Sequence, residues 1–125
     1  MRILVADDDP TIRLLLSAQL GAAGHEVTSV ADGALALHAL TSAAPDLLVL
    51  DVMMPVCDGW TVLEQVRRSA LHHALPVVLL TARDMPDDVR RGRDLGASCV
   101  LSKARALAQL VDTVHALTAT ALLPR

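Results

Sequence analysis

The fold is decided at the start of the chain by residues 3–10, which read ILVADDDP. Four consecutive apolar residues are typical of a strand that is covered on both faces, as in a parallel sheet between two layers of helices. Asp9 and Pro10 then predict the start of a helix, because aspartate is a good N-cap and proline suits the first helical position. A buried strand, an acidic loop and a helix therefore follow one another without a break.

Short apolar runs alternate with helical stretches along the rest of the chain. Further strands are predicted at residues 27–30, 47–50, 77–80 and 99–101. Apolar residues at helical spacing follow each run, and in the first two helices core-facing leucines are expected at positions 15, 16, 20, 35, 37 and 40. Five strands that alternate with five helices predict an α/β fold, a doubly wound parallel sheet with right-handed crossovers.

The fourth predicted helix, residues 86–95, has an unusual composition. It contains arginines at positions 90, 91 and 93, and its only large apolar residues are Met85, Val89 and Leu95. A helix with so little apolar surface gains little from packing, so we expect it to be among the least stable parts of the domain. Together with Arg83, its arginines form a basic patch that is either a solvated face or a surface for a partner.

Composition narrows the class of protein. The chain has 125 residues, 11 basic and 14 acidic side chains and 53% hydrophobic residues, which fits a single domain over residues 1–125 with no output domain. A mildly acidic chain whose Phe, Tyr and Trp content is Trp60 alone is a poor nucleic-acid binder. Because the sequence has no signal-peptide pattern, no membrane-span pattern and no zinc-type cysteine spacing, we expect a cytoplasmic protein.

Polar residues follow four of the five predicted strands. The first strand ends in Asp7 and Asp8, the third in Asp51, the fourth in Thr81 and the fifth beside Lys103. In open α/β sheets the ligand site lies beyond the carboxyl ends of the strands. If the first and third strands are neighbours, three carboxylates converge, and they repel one another unless a cation lies among them or their pKa values rise. Such a cluster, with room for water, suits Mg²⁺.

The hydroxyl and the ammonium at this edge point to phosphoryl chemistry. A carboxylate can attack phosphorus to give an aspartyl-phosphate, while a cation, an ammonium and a hydroxyl stabilise the phosphoryl oxygens. Lys103 is the single lysine in a chain with ten arginines. Because lysine is a compact point charge whereas arginine is a wide planar fork, we expect Lys103 to bind phosphate and Thr81 to supply the hydroxyl.

At this point the residues resemble a known pattern. Residues 3–9 (ILVADDD), 51–59 (DVMMPVCDG), 80–82 (LTA) and 96–97 (GA), followed by Lys103, are similar to the motifs of receiver domains of two-component response regulators. The resemblance covers essentially the whole chain. It implies a flavodoxin-like (βα)5 fold with strand order 2-1-3-4-5. It also implies a phosphoacceptor that switches partner binding and is not an enzyme beyond Mg²⁺-dependent self-phosphorylation and self-dephosphorylation.

The resemblance also implies a role for each site residue. Asp51 would be the phosphoacceptor, Thr81 the switch hydroxyl and Lys103 the phosphate-binding ammonium. Asp8 would bind Mg²⁺ directly, and Asp7 would act largely through water. The complete set of metal ligands on the protein would be Asp7, Asp8, Asp51 and the backbone carbonyl of Met53.

Partners follow from the same resemblance. The phosphoryl donor would be a sensor histidine kinase or a histidine phosphotransfer protein, docking near the first helix. A downstream protein partner would use the face formed by the fourth helix, the fifth strand and the fifth helix. Binding of nucleic acid or of a membrane is not expected of this domain.

The sequence departs from the family pattern at two positions. Ala104 follows Lys103 where the family usually has proline, often after a cis peptide bond, so we expect a trans bond and a differently shaped loop. Val100 replaces the tyrosine or phenylalanine that the family usually carries in the fifth strand. Phosphorylation chemistry should survive both changes, whereas the usual aromatic readout cannot operate.

Two other functions are compatible with part of the pattern. One is a receiver-like interaction module that binds partners constitutively, with no phosphorylation switch. The other is a phosphatase of the haloacid-dehalogenase type, because residues 7–11 (DDDPT) fit the Asp-x-Asp-x-Thr opening of that class. The phosphatase alternative leaves Asp51 unexplained and lacks the further acidic pair that such enzymes need after the lysine.

Overall fold

A computed structural model gives the fold and describes residues 1–82 and 85–122. The strands are β1 (Arg2–Ala6), β2 (Glu26–Val30), β3 (Leu47–Asp51), β4 (Val77–Thr81) and β5 (Cys99–Ser102). The helices are α1 (Pro10–Ala22), α2 (Gly33–Ala43), α3 (Gly59–Arg68), α4 (Pro86–Asp94) and α5 (Lys103–Leu122). Each predicted strand lies inside an observed one, which confirms the predicted alternation.

The five strands form one parallel sheet in the order β2-β1-β3-β4-β5. This order confirms the predicted doubly wound, flavodoxin-like architecture. At the centre of the sheet, Ala6 on β1 pairs with Leu50 on β3. Asp7 and Asp51, which follow these two residues along the chain, therefore lie side by side at the carboxyl end of the sheet.

The core is aliphatic and lies on both faces of the sheet. On one face, strand residues such as Leu4 and Leu48 pack with the buried sides of α2 and α3. On the other face, their neighbours Ile3 and Val49 pack with α1 and α5. Within the described part of α4, only Gly92 is buried. This helix therefore buries fewer residues than each of the others in the described ranges, as its composition predicts.

The core-facing prediction is wrong for Leu15 and Leu35, which are 42% and 47% exposed. The buried positions of α1 are Leu16 and Leu20, and those of α2 include Ala36 and Leu40. Successive residues of a helix are rotated by about 100°, so a leucine one position before the centre of a narrow buried stripe turns away from the sheet.

Arg67, at the end of α3, links two loops at the amino ends of the strands. The acidic residues lie at the other end, where the strands finish. The Arg67 guanidinium donates hydrogen bonds to the backbone carbonyls of Gly96 at 2.9 Å, Leu75 at 2.7 Å and His73 at 3.2 Å. Burial lowers the pKa of Arg67. Because these contacts fix the loop that follows α4, the C-terminal end of that weakly packed helix is anchored, whereas its N-cap residue, Met85, makes no side-chain capping bond.

None of the helices in the described ranges combines the length and the apolarity that crossing a bilayer requires.

Candidate functional site

Two buried carboxylates lie at the carboxyl end of the sheet. The side chains of Asp7 and Asp51 have no exposed surface. Asp7 Oδ1 accepts a hydrogen bond from the backbone N–H of Asp9 at 2.9 Å, and Asp51 Oδ1 accepts one from the N–H of Met53 at 3.2 Å. Each carboxylate is therefore held in place by the loop that follows its own strand.

Lys103 contacts both carboxylates. Its Nζ lies 3.3 Å from Asp7 Oδ1 and 3.1 Å from Asp51 Oδ2. Lys103 is the first residue of α5, and the preceding Ser102 accepts a hydrogen bond from the N–H of Arg105 at 3.2 Å, as an N-cap does. The capped helix start thus aims the ammonium at the acids. One ammonium balances only one of the two buried negative charges.

The excess negative charge changes the proton affinity of the site. Burial and, next, the neighbouring Asp7 raise the pKa of Asp51 to about 7, although Lys103 and the N–H of Met53 oppose that rise. Burial lowers the pKa of Lys103, but its contacts with Asp51 and Asp7 outweigh burial and raise that pKa overall. A further cation close to Asp51 would favour the ionised form of its carboxyl group.

Asp8 completes a cluster of three carboxylates. One oxygen from each of Asp7, Asp8 and Asp51 lies within 4.8 Å of the others. Within the described ranges, Asp7 Oδ2 is buried and has no hydrogen-bond partner. Asp8 is exposed, which leaves room for the water molecules that Mg²⁺ keeps. These side chains therefore fit a hard divalent cation, and the Met53 carbonyl as a further ligand stays a prediction.

Asp9 serves as the cap of α1, as predicted. Its Oδ1 accepts hydrogen bonds from the backbone N–H groups of Thr11 at 2.9 Å and Ile12 at 3.4 Å. One turn later, Arg13 donates from Nη1 to the carbonyl of Asp7 at 2.8 Å. The loop that carries Asp8 is thus fixed from both ends. The role of Arg13 could not be predicted, because nothing in the sequence distinguishes it from the other arginines.

Thr81 connects the site to α4. It is buried at the end of β4 and, with Trp60, Met85 and Asp88 among others, lines a cavity of about 350 Å³. Trp60 is buried. The guanidinium of Arg91 lies 4.4 Å from the centroid of the Trp60 ring, which is a cation–π contact. The wall of this cavity therefore extends from Thr81 to Asp88 on α4.

The structure shows the surroundings of Ala104 and Val100, the two departures from the family pattern. The described residues contain no cis peptide bond, so the predicted trans bond between Lys103 and Ala104 is confirmed. Val100 is half-buried and lines a second cavity, of about 520 Å³, between α4 and α5. The basic residues that line this cavity are Arg90, Arg93 and Arg105. Arg83, the remaining member of the predicted basic patch, lies outside the described residues.

Comparison with known proteins agrees with this geometry. Residues 3–115 match the response regulator receiver domain family. The chain is 41% identical over 117 residues to the transcriptional activator protein IrlR of Burkholderia pseudomallei, an alignment that covers 94% of this chain and 50% of that protein. The chain thus spans about half the length of the curated relatives it matches.

Solved structures share the fold over nearly the whole chain. The receiver domain of the Francisella response regulator 1452 superimposes with a TM-score of 0.86 at 30% identity, covering 93% of this chain and 94% of that one. The Mn²⁺-bound form of response regulator Rcp1 superimposes with a TM-score of 0.79 at 28% identity, covering 99% of both chains.

Proposed function

Because this chain belongs to the response regulator receiver domain family, we propose that it accepts a phosphoryl group on Asp51 in a Mg²⁺-dependent reaction. The domain is a signalling module, and its own chemistry is limited to gaining and losing that group. The observation that carries the proposal is the position of Asp51, a buried carboxylate that shares one ammonium, Lys103, with the adjacent Asp7.

Asp51 supplies the nucleophile. One of its oxygens forms a bond to phosphorus while the bond from phosphorus to the donor nitrogen breaks, and the electron pair leaves with the donor. Asp7, Asp8 and Asp51 would hold Mg²⁺, which would supply positive charge for the phosphoryl oxygens. Lys103, which contacts Asp51, and Thr81, which ends the neighbouring strand β4, would serve as a cation and a hydroxyl donor for those oxygens. Hydrolysis reverses the state, because water then attacks phosphorus and the bond to Asp51 breaks.

The proposal is tested by weighing the intact protein after incubation with a small phosphoramidate donor and Mg²⁺. We expect the mass to increase by one phosphoryl group, and we expect no increase in Asp51→Ala or when a chelator removes the metal. Asp9→Asn should still be labelled, because Asp9 only caps α1. Labelling that depends on Asp9 and not on Asp51 would instead indicate the phosphatase alternative, and an unlabelled wild-type protein would indicate a constitutive interaction module.

The phosphoryl donor is proposed to be a phosphohistidine on a sensor kinase or a phosphotransfer protein, in the cytoplasm. Two exposed leucines on α1 support docking beside the acidic cluster, since Leu14 is 70% exposed and its neighbour Leu15 also faces solvent. Apolar side chains that are exposed next to a polar site favour the binding of a protein surface.

A downstream partner is proposed to bind the face that α4, β5 and α5 share. In place of the aromatic residue that the family usually carries in β5, this chain has the valine-lined, arginine-rimmed cavity between α4 and α5. Three arginines and one aspartate, Asp94, line this cavity, and this excess of arginine favours an acidic partner segment. The weak packing of α4 supports its movement when Thr81 contacts a phosphoryl group.

Trp60 reports on this connection, because it is the only tryptophan and it lines the cavity beside Thr81. We expect its fluorescence to change on addition of Mg²⁺ and to change again on addition of phosphodonor. The second change should be absent in Asp51→Ala. An emission that stays constant while mass spectrometry shows full labelling would contradict the proposed route from Thr81 to α4.

A further inference from the structure

Two histidines meet on the surface of the domain, away from the acidic cluster. His25 lies just before β2, and His115 lies on α5, 90 positions later. Their Nε2 atoms are 3.3 Å apart, and their ring centroids are 5.4 Å apart with an interplanar angle of 60°. We propose that His25 and His115 form a binding site for a divalent transition-metal ion of the zinc class, separate from the Mg²⁺ site.

The separation of the two nitrogens carries this proposal. Two zinc–nitrogen bonds of about 2.05 Å that meet at the tetrahedral angle place their nitrogens about 3.3 Å apart. The two Nε2 atoms are at that separation without any movement of the backbone. Neutral imidazole is a preferred ligand of zinc, nickel and copper, whereas Mg²⁺ prefers oxygen, so the two sites select different ions.

The framework on both sides of the pair is rigid. The backbone N–H of His25 donates to the carbonyl of Leu20 at 3.1 Å, and the following residue, Glu26, joins the β1–β2 pairing. His115 follows Val114, a fully buried residue of α5. A site whose ligands are fixed by packed elements loses little conformational entropy when the ion binds. Solvent can supply the remaining ligands, because His115 is exposed and His25 is partly exposed.

The surroundings of His25 favour its role as a ligand. Burial, the terminal amino group and His115 together lower the pKa of His25, so its ring is neutral at neutral pH. The amino nitrogen of Met1 lies 3.3 Å from Nδ1 of His25. This contact helps to fix the orientation of the His25 ring, as outer contacts do for metal-binding histidines.

The test is a titration with Zn²⁺ alone, with millimolar Mg²⁺ present to hold the acidic cluster. We expect the imidazole NMR signals of His25 and His115 to shift together and saturably, ahead of those of His38, His72 and His73. Saturating Zn²⁺ should also raise the melting temperature of the wild-type protein, because it binds the folded state.

Substitutions separate this site from adventitious binding. His115→Ala and His25→Gln should each weaken Zn²⁺ binding by about tenfold or more, which is the loss that even outer-shell changes cause at metal sites. His38→Ala, which removes an exposed histidine from α2, should bind Zn²⁺ like the wild type. Equal shifts of all five histidines, or unchanged affinity in His115→Ala, would overturn the proposal and leave only a hydrogen bond between the two rings.

Discussion

Replacing Asp51 with asparagine is expected to stabilise the magnesium-free domain by about 2 kcal/mol at pH 8. The Asp51 side chain is buried, and its pKa in the folded protein is about 7 against 3.8 as the ordinary value. Above pH 7 the folded protein therefore holds an anion that the unfolded chain accommodates more easily. At about 1.4 kcal/mol for each tenfold change in proton affinity, this pKa would imply roughly twice the expected effect, but relaxation of the protein around a buried anion reduces the penalty.

The sign of the pH dependence follows from the same pKa. Between pH 4 and pH 7 the unfolded chain loses the Asp51 proton while the folded chain keeps it, so the wild-type protein loses stability as the pH rises. Asp51→Asn cannot titrate at this position. The difference in stability between variant and wild type should therefore be small near pH 4, grow through this window and level off above pH 7.

Urea unfolding of both proteins in the presence of a chelator, at several pH values, measures this difference. Asp112→Asn is a matched control, because Asp112 is an exposed carboxylate on α5 and the same change there removes no buried charge. Adding Mg²⁺ should stabilise the wild type more than Asp51→Asn. A pH-independent difference between Asp51→Asn and the wild type would mean that Asp51 is not the strained carboxylate of this site.

The acidic site could be predicted from the sequence because it depends on local features. Asp7, Asp51, Thr81 and Lys103 each end or follow a strand that can be recognised from its own apolar run, and parallel topology brings the carboxyl ends of strands to one edge. The helix cap at Asp9 is equally local, since its acceptors and donors lie within three residues.

Contacts between distant parts of the chain could not be predicted in this way. The stacking of Arg91 on Trp60 and the approach of His25 to His115 depend on how helices sit against the sheet. The same uncertainty explains the misplaced leucine Leu15, because a narrow buried stripe leaves its flanking positions undetermined until the helix has packed. A single sequence shows which side of a helix is apolar. It specifies less firmly how far that helix is rotated about its axis when it packs on the sheet.

Gly59→Ala is expected to destabilise the domain by about 2–3 kcal/mol, the range of overpacked core substitutions. Gly59 is the first residue of α3, and its N–H donates to the carbonyl of Val52 at 2.9 Å. A Cβ atom built on Gly59 would overlap the carbonyl oxygen of Asp51 and would lie 2.8 Å from the Cα of Val52. Because both obstacles are backbone atoms of the segment that positions Asp51, they cannot rotate away as a side chain could.

Gly21→Ala gives the matched control for this substitution. Gly21 is also helical, on α1, but a Cβ atom there would meet no heavy atom within 4 Å. Alanine is a better helix former than glycine, so Gly21→Ala should stabilise the domain by up to about 1 kcal/mol. We expect urea unfolding to show a loss of stability in Gly59→Ala and a gain in Gly21→Ala. This difference would assign the loss to the contact between α3 and the segment after Asp51.

The same pair of variants tests whether the position of Asp51 limits its labelling. Gly59→Ala displaces the peptide group that joins Asp51 to Val52, so we expect it to accept phosphoryl groups at least about tenfold more slowly at a temperature where it is still folded. Gly21→Ala should be labelled at the wild-type rate. If Gly59→Ala were as stable and as rapidly labelled as Gly21→Ala, the close approach of α3 would have no part in holding the acceptor, and the hydrogen bond from Met53 would be sufficient.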